Sequence, residues 1–74
     1  MSKNIVIKVN GVRNRFNRND GIFQYIGIDK HGYTYNFDTK DKIPFNSQLD
    51  MILYDWDVFE GKVVLCKEYT YKII

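Results

Sequence analysis

The stretch from Ile22 to Asp38, IFQYIGIDKHGYTYNFD, decides the fold. Two β-rich runs, 22–29 and 33–38, flank Lys30-His31-Gly32, which suits a type I turn closed by a glycine in the left-handed region. A β-hairpin follows. Its register depends on loop length. A three-residue loop opposes Asp29 to Tyr33 and gathers Phe23, Tyr25, Tyr33, Tyr35 and Phe37 with Gly27 on one face. A four-residue loop opposes Ile28 to Tyr33 and gathers Ile22, Ile26 and Ile28 with Tyr33, Tyr35 and Phe37. A slip of one residue therefore exchanges the face that meets the core. Turn chemistry favours the first arrangement.

Before this hairpin, residues 3–10 alternate, with Ile5, Ile7 and Val9 on one face and Asn4, Val6, Lys8 and Asn10 on the other. That is the pattern of a half-buried strand, and Asn10-Gly11 is read as its end. Val12 to Gly21 is then a long polar, basic loop closing on Asp20-Gly21. After the hairpin, residues 39–50 form a polar connection holding the only proline, Pro44. Ile43 and Phe45 are its expected anchors, and Asn46 to Asp50 could form a short helical turn. Residues 51–59 alternate again, with Ile52, Tyr54, Trp56 and Val58 on one face and Leu53, Asp55 and Asp57 on the other. A two-residue turn at Glu60-Gly61 would oppose Val58 to Val63, Trp56 to Leu65 and Ile52 to Tyr69. The last strand would run through Tyr71 towards Ile73-Ile74.

Composition agrees with sheet. Ile, Val, Thr, Tyr, Phe and Trp supply 30 of the 74 residues and alanine is absent, so helix has little to build with. At this length one domain is expected, because a second core would be almost all surface. The fold class expected is all-β: a small, five-stranded open barrel over residues 1–74, with at most one short helical turn. Strand, long loop, hairpin, polar connection, hairpin is the layout of the OB-fold. An SH3-like barrel fits less well, since its last two strands are usually joined through a helical turn.

Cys66 is the only cysteine, so no internal disulfide is expected; the lone thiol and the lack of an apolar leader fit a cytoplasmic protein. The richness in Asn, Lys, Ile and Tyr resembles AT-rich coding sequence, as in low-GC bacteria and their phages. Net charge is only +2. Its distribution is uneven: residues 1–37 carry six Lys/Arg against two Asp/Glu (+4), and residues 38–74 carry five against seven (−2).

Catalysis finds no constellation. His31, the only histidine, belongs to a turn tip with no expected carboxylate or nucleophile beside it, so an exposed turn residue is the simpler reading. Asp55 and Asp57 would share a strand face and could offer oxygens to a divalent cation, but a third ligand is missing, and a solvated edge that discourages association explains them as well. No metal, cofactor or enzymatic activity is expected.

Arg13-Asn14-Arg15-Phe16-Asn17-Arg18-Asn19 places three guanidinium groups and an aromatic ring within seven residues. Arginine gives paired donors to phosphate and a flat face for stacking, chemistry that suits single-stranded nucleic acid. In an OB layout this loop would adjoin the second and third strands. Arg13, Arg15, Phe16, Arg18, Tyr25, Tyr33 and Tyr35 would then form one nucleic-acid site, although an aromatic strand face is more often core. The alternative is a phage-type inhibitor, or another interaction protein, that covers a surface of a host or defence protein. Asp50, Asp55, Asp57 and Glu60 would face a basic groove of that partner. A weak homodimer through a strand edge is also expected.

Overall fold

The computed structural model describes residues 1–14 and 21–74. Five strands follow in order: β1 (Lys3–Asn14), β2 (Phe23–Ile28), β3 (Thr34–Thr39), β4 (Gln48–Phe59) and β5 (Val63–Ile73). They close into a barrel in the order β1-β2-β3-β5-β4, with β1 pairing both β2 and β4. The β3–β5 pair is parallel and the other four are antiparallel. This is the OB-like layout, and it is closed where an open barrel was expected. No helix occurs among the described residues.

The first hairpin has the register of the three-residue loop. Tyr25 opposes Phe37 and Gly27 opposes Tyr35, while Gly32 takes a positive φ of 86°. The backbone N–H of Asp29 donates to the Tyr33 carbonyl at 3.0 Å, and that of Gly32 to the Asp29 carbonyl at 3.2 Å. Tyr25, Tyr35 and Phe37 thereby enter the core with Ile5, Ile7 and Val9 of β1, Leu49, Met51 and Leu53 of β4, Val64 of β5, and Ile43. Gly27 gives the room: a Cβ there would lie 2.6 Å from Ile7 Cδ1.

Three expectations need correction. Asn10-Gly11 does not end β1; the register shifts between Val9 and Gly11 and the strand continues to Asn14. One added residue bends a strand instead of stopping it, so β1 curls from β4 onto β2. The proposed helical turn at Asn46 to Asp50 is replaced by a β-turn, in which Ser47 N–H donates to the Pro44 carbonyl at 3.2 Å and Asn46 has φ 68°. Asparagine tolerates the positive φ that the third residue of a type II turn requires. Phe45 is 64% exposed and anchors nothing, whereas Ile43 is buried.

The second hairpin is displaced by one residue from the expected pairing. Val58 opposes Val64, Trp56 opposes Cys66, and Ile52 opposes Thr70. Glu60 and Gly61 both have positive φ, 52° and 78°, as in a type I′ turn. Lys62, however, belongs to the loop: its N–H donates to the Phe59 carbonyl at 3.2 Å, and its carbonyl accepts Thr34 N–H at 2.9 Å. The pull of β3 on Lys62 leaves Phe59 facing Val63. Further along, register shifts between Leu53 and Asp55 and between Asp55 and Trp56 change the phase of β4. Leu49, Met51 and Leu53 are buried, Tyr54 is exposed, and Trp56 turns back against the core. The regular alternation of Ile52, Tyr54, Trp56 and Val58 does not survive the bulge.

Candidate binding groove

Alternation along β2 and β3 sends Gly27 and Tyr35 inward, so their neighbours face out. Two rows cross the outer surface in register. One runs Lys8, Ile28, Thr34, Val63, Phe59, and the other runs Gly11, Ile26, Asn36, Leu65, Asp57. Ile28 and Phe59 are 37% and 49% exposed. Across the middle of this face aliphatic Ile26, Ile28, Val63 and Leu65 flank polar Thr34 and Asn36, and Lys8 and Asp57 stand at its margins.

The first row ends at Lys8, where the face meets a groove. There β1 leaves β2: among the described residues the β1–β2 ladder begins at Lys8 opposite Ile28, while Lys3 to Ile7 pair only with Leu53 to Leu49 of β4. The groove holds about 660 Å³ between the first half of β1 and the tip of the β2–β3 hairpin. Main-chain direction in it follows from Val9, whose N–H donates to the Ser47 carbonyl at 2.9 Å and whose carbonyl accepts Asn46 N–H at 3.0 Å. Those groups point towards β4. Because main-chain groups alternate sides along a strand, Ile7 and Ile5 also bond towards β4. The N–H and C=O of Val6 and Asn4 turn into the groove.

Side chains give the groove an apolar floor and a cationic rim. Ile5 and Ile7 lie beneath, Tyr33 and Ile28 form the far wall, and Lys3, Lys8, Lys30 and His31 border the opening. The Lys3 ammonium sits 5.8 Å from the centre of the Tyr33 ring, within cation–π range. Asp29 is the carboxylate of this lining, and its oxygens are occupied. Oδ1 accepts the N–H groups of His31 at 2.8 Å and Tyr33 at 2.9 Å, and Oδ2 accepts the Tyr35 hydroxyl at 2.9 Å. Burial pushes the Asp29 pKa up, but the hydrogen bonds from Tyr33, Tyr35 and His31 outweigh it and hold the group below its ordinary value. The same bond acts in reverse on Tyr35, where burial first, and then the neighbouring carboxylate, keep the phenol protonated.

The described residues among those singled out in the sequence, Arg13, Tyr25, Tyr33 and Tyr35, have different settings. Tyr35 has no exposed surface and Tyr25 is 4% exposed, so neither ring can stack on a base. Each belongs to the core, the commoner fate of an aromatic strand face. The Tyr25 hydroxyl instead fastens the connection before β4, donating to the Asp41 carbonyl at 3.1 Å and accepting Ile43 N–H at 2.9 Å. Tyr33 is half-buried in the groove wall. Arg13 is exposed, and it is a strand residue opposite Gln24 rather than part of a loop. Arg15, Phe16 and Arg18 lie outside the described residues.

The four acidic residues are strung along β4 and its turn. Asp50 and Glu60 are ten residues apart, on the order of 30 Å of extended strand. Asp50 accepts the Asn4 side-chain amide at 2.8 Å, and Asp57 pairs with Lys67 at 2.8 Å. Among the described residues no group of three or more His, Cys, Asp or Glu could hold a metal ion, and no helix is long and apolar enough to cross a membrane.

Lys3, Lys8 and Lys30 were not legible as a site. Lys8 shows only as the polar side of an alternating strand, and Lys30 only as a turn residue. Asp29 carried a usable signal, because aspartate at the first position of a type I turn commonly binds the backbone two residues on. Compared with family models, with curated proteins and with solved structures, the chain gives no significant match, so its function must be argued from this geometry.

Proposed function

We propose that the chain is a non-enzymatic binding module that covers a surface of a partner protein, as an inhibitor of a host or defence factor does. The supporting observation is the division of its apolar residues. The large strand aromatics Tyr25, Tyr35 and Phe37 are committed to the core, while the outer face between Phe59 and the lysine-bordered groove keeps two aliphatic pairs, Val63 with Leu65 and Ile26 with Ile28, on either side of Thr34 and Asn36. Aliphatic side chains inside a charged margin suit a protein-recognition surface. Stacking on single-stranded nucleic acid needs exposed rings, and on the two rows of this face the exposed ring is Phe59.

Nucleic acid remains the second reading because Lys8 and exposed Arg13 lie on the same strand beside this face. Affinity capture from a low-GC bacterial lysate, with and without nuclease, separates the two. One protein retained after nuclease supports the module reading. Nuclease-sensitive recovery of many proteins, with oligonucleotide affinity falling against salt at a log–log slope near −2 for about three phosphate contacts, replaces it with nucleic-acid binding.

A further inference from the structure

We infer that the groove beside β1 accepts an extended segment of the partner as an added strand, with apolar residues turned inward and acidic residues turned outward. This rests on the module reading and names how one part of that partner is held. The N–H and C=O of Asn4 and Val6 point into the groove, and β2 begins to pair only at Lys8. An unpaired strand edge beside a cleft is a template for strand addition, in which main-chain hydrogen bonds supply affinity and alternating side chains supply specificity. The five residues Lys3 to Ile7 extend roughly 16 Å, enough for a short strand.

Side-chain alternation specifies the occupant. Ile5 and Ile7 face inward beneath the groove, so inward residues of an added strand meet them and the Tyr33 wall. Its outward residues meet Lys8 on β1 and Lys30 at the hairpin tip, both exposed. Asp29 offsets only one of the three lysine charges in this lining, and its oxygens are turned onto His31, Tyr33 and Tyr35. Acidic side chains therefore gain and basic ones are repelled. The same lysines oppose pairing of this edge with a second copy of itself, since each copy would bring Lys3, Lys8 and Lys30 to one shared cleft.

The test uses the full chain, isotope-labelled, with a blocked six-residue peptide of alternating glutamate and valine, its lysine–valine counterpart, and the acidic peptide methylated on alternate backbone nitrogens. At millimolar acidic peptide, amide exchange at Asn4 and Val6 should slow at least tenfold. Ile5 and Ile7, already bonded to β4, should not change. The lysine peptide and the methylated peptide should give no protection. Lys8→Glu/Lys30→Glu, both at exposed positions, should weaken acidic-peptide binding at least tenfold without altering the circular dichroism spectrum. Val6→Pro removes one groove-facing N–H and should act in the same direction where it folds. Unchanged exchange at Asn4 and Val6, or equal protection by the lysine peptide, overturns the inference. A partner protein captured equally well by wild type and by the double lysine variant also overturns it, while leaving the module reading in place.

Discussion

The Tyr35 hydroxyl, carried by a ring with no exposed surface, donates to Asp29 at 2.9 Å, tying the hairpin turn to the barrel interior. Asp29 also receives two turn N–H groups, so its charge organises both the loop and one core side chain.

Asp29→Asn should therefore destabilise the fold by about 1–2 kcal/mol, as expected for bonds to a charged acceptor, and the loss should depend on pH. The folded pKa lies below its unfolded value, about 3.9 for aspartate. The unfolded chain thus takes up the proton first. Stability from Asp29 is complete above the unfolded pKa and disappears as pH falls through the folded one. Urea midpoints of wild type and Asp29→Asn should differ by a constant amount above about pH 5 and converge towards pH 2. A gap independent of pH would mean that shape and not charge matters at this turn.

Gly27→Ala should be the more damaging small change. The new Cβ would lie 2.6 Å from Ile7 Cδ1, and also 3.1 Å from Cγ1 and 3.2 Å from Cβ, so rotating the end of the isoleucine does not relieve the crowding. Ile7 is 1% exposed, so displacing it disturbs its core neighbours. Overpacking of this kind costs about 1–3 kcal/mol. Adding Ile7→Val to Gly27→Ala should recover part of the loss in thermal melts, and no recovery would place the strain elsewhere.

Both hairpins were legible, but why the register of the first was and that of the second was not follows from what fixes each. At Asp29 to Tyr33 the determinants are local, a glycine for the left-handed position and an aspartate to hold the turn amides. They agree with the burial of Tyr25, Tyr35 and Phe37. At Phe59 to Val63 the local turn favours two residues, but Lys62 is recruited by Thr34 of β3, a contact no neighbouring residue announces. Likewise the bulges at Asn10 and Tyr54 are invisible to period-two reading, because they preserve apolar content and change only its phase. The groove was hidden for the same reason: it exists because β1 leaves β2 at Lys8, and that divergence belongs to barrel closure.

Cys66 offers a readout of local opening. Burial between the strands pushes its thiol up to about 12, so at pH 8 only about one molecule in ten thousand carries the thiolate that reacts. Ellman's reagent should label native protein orders of magnitude more slowly than glutathione, and at the glutathione rate in urea. Fast labelling under native conditions would show that the β4–β5 pairing around Trp56 and Cys66 opens readily.

Glu60 occupies a conformation that its side chain disfavours, since φ of 52° brings a Cβ close to the following carbonyl and costs about 1–2 kcal/mol in the left-handed helical region. Asparagine tolerates that region through local hydrogen bonding, and Asn-Gly is the preferred pair for a type I′ turn. Glu60→Asn should stabilise the fold by about 0.5–1 kcal/mol, which for a domain of this size raises Tm by roughly 2–8 °C. The substitution leaves Gly61 and the Lys62 bonds to Phe59 and Thr34 in place, so the register should be unchanged. The turn also stands beside Phe59, at the end of the outer apolar row. If the carboxylate meets a basic partner, Glu60→Asn should raise Tm and at the same time shorten the lifetime of the complex. Strain retained at a binding tip would produce that opposition, whereas a rise in Tm with unchanged binding would mark Glu60 as a turn residue that touches no partner.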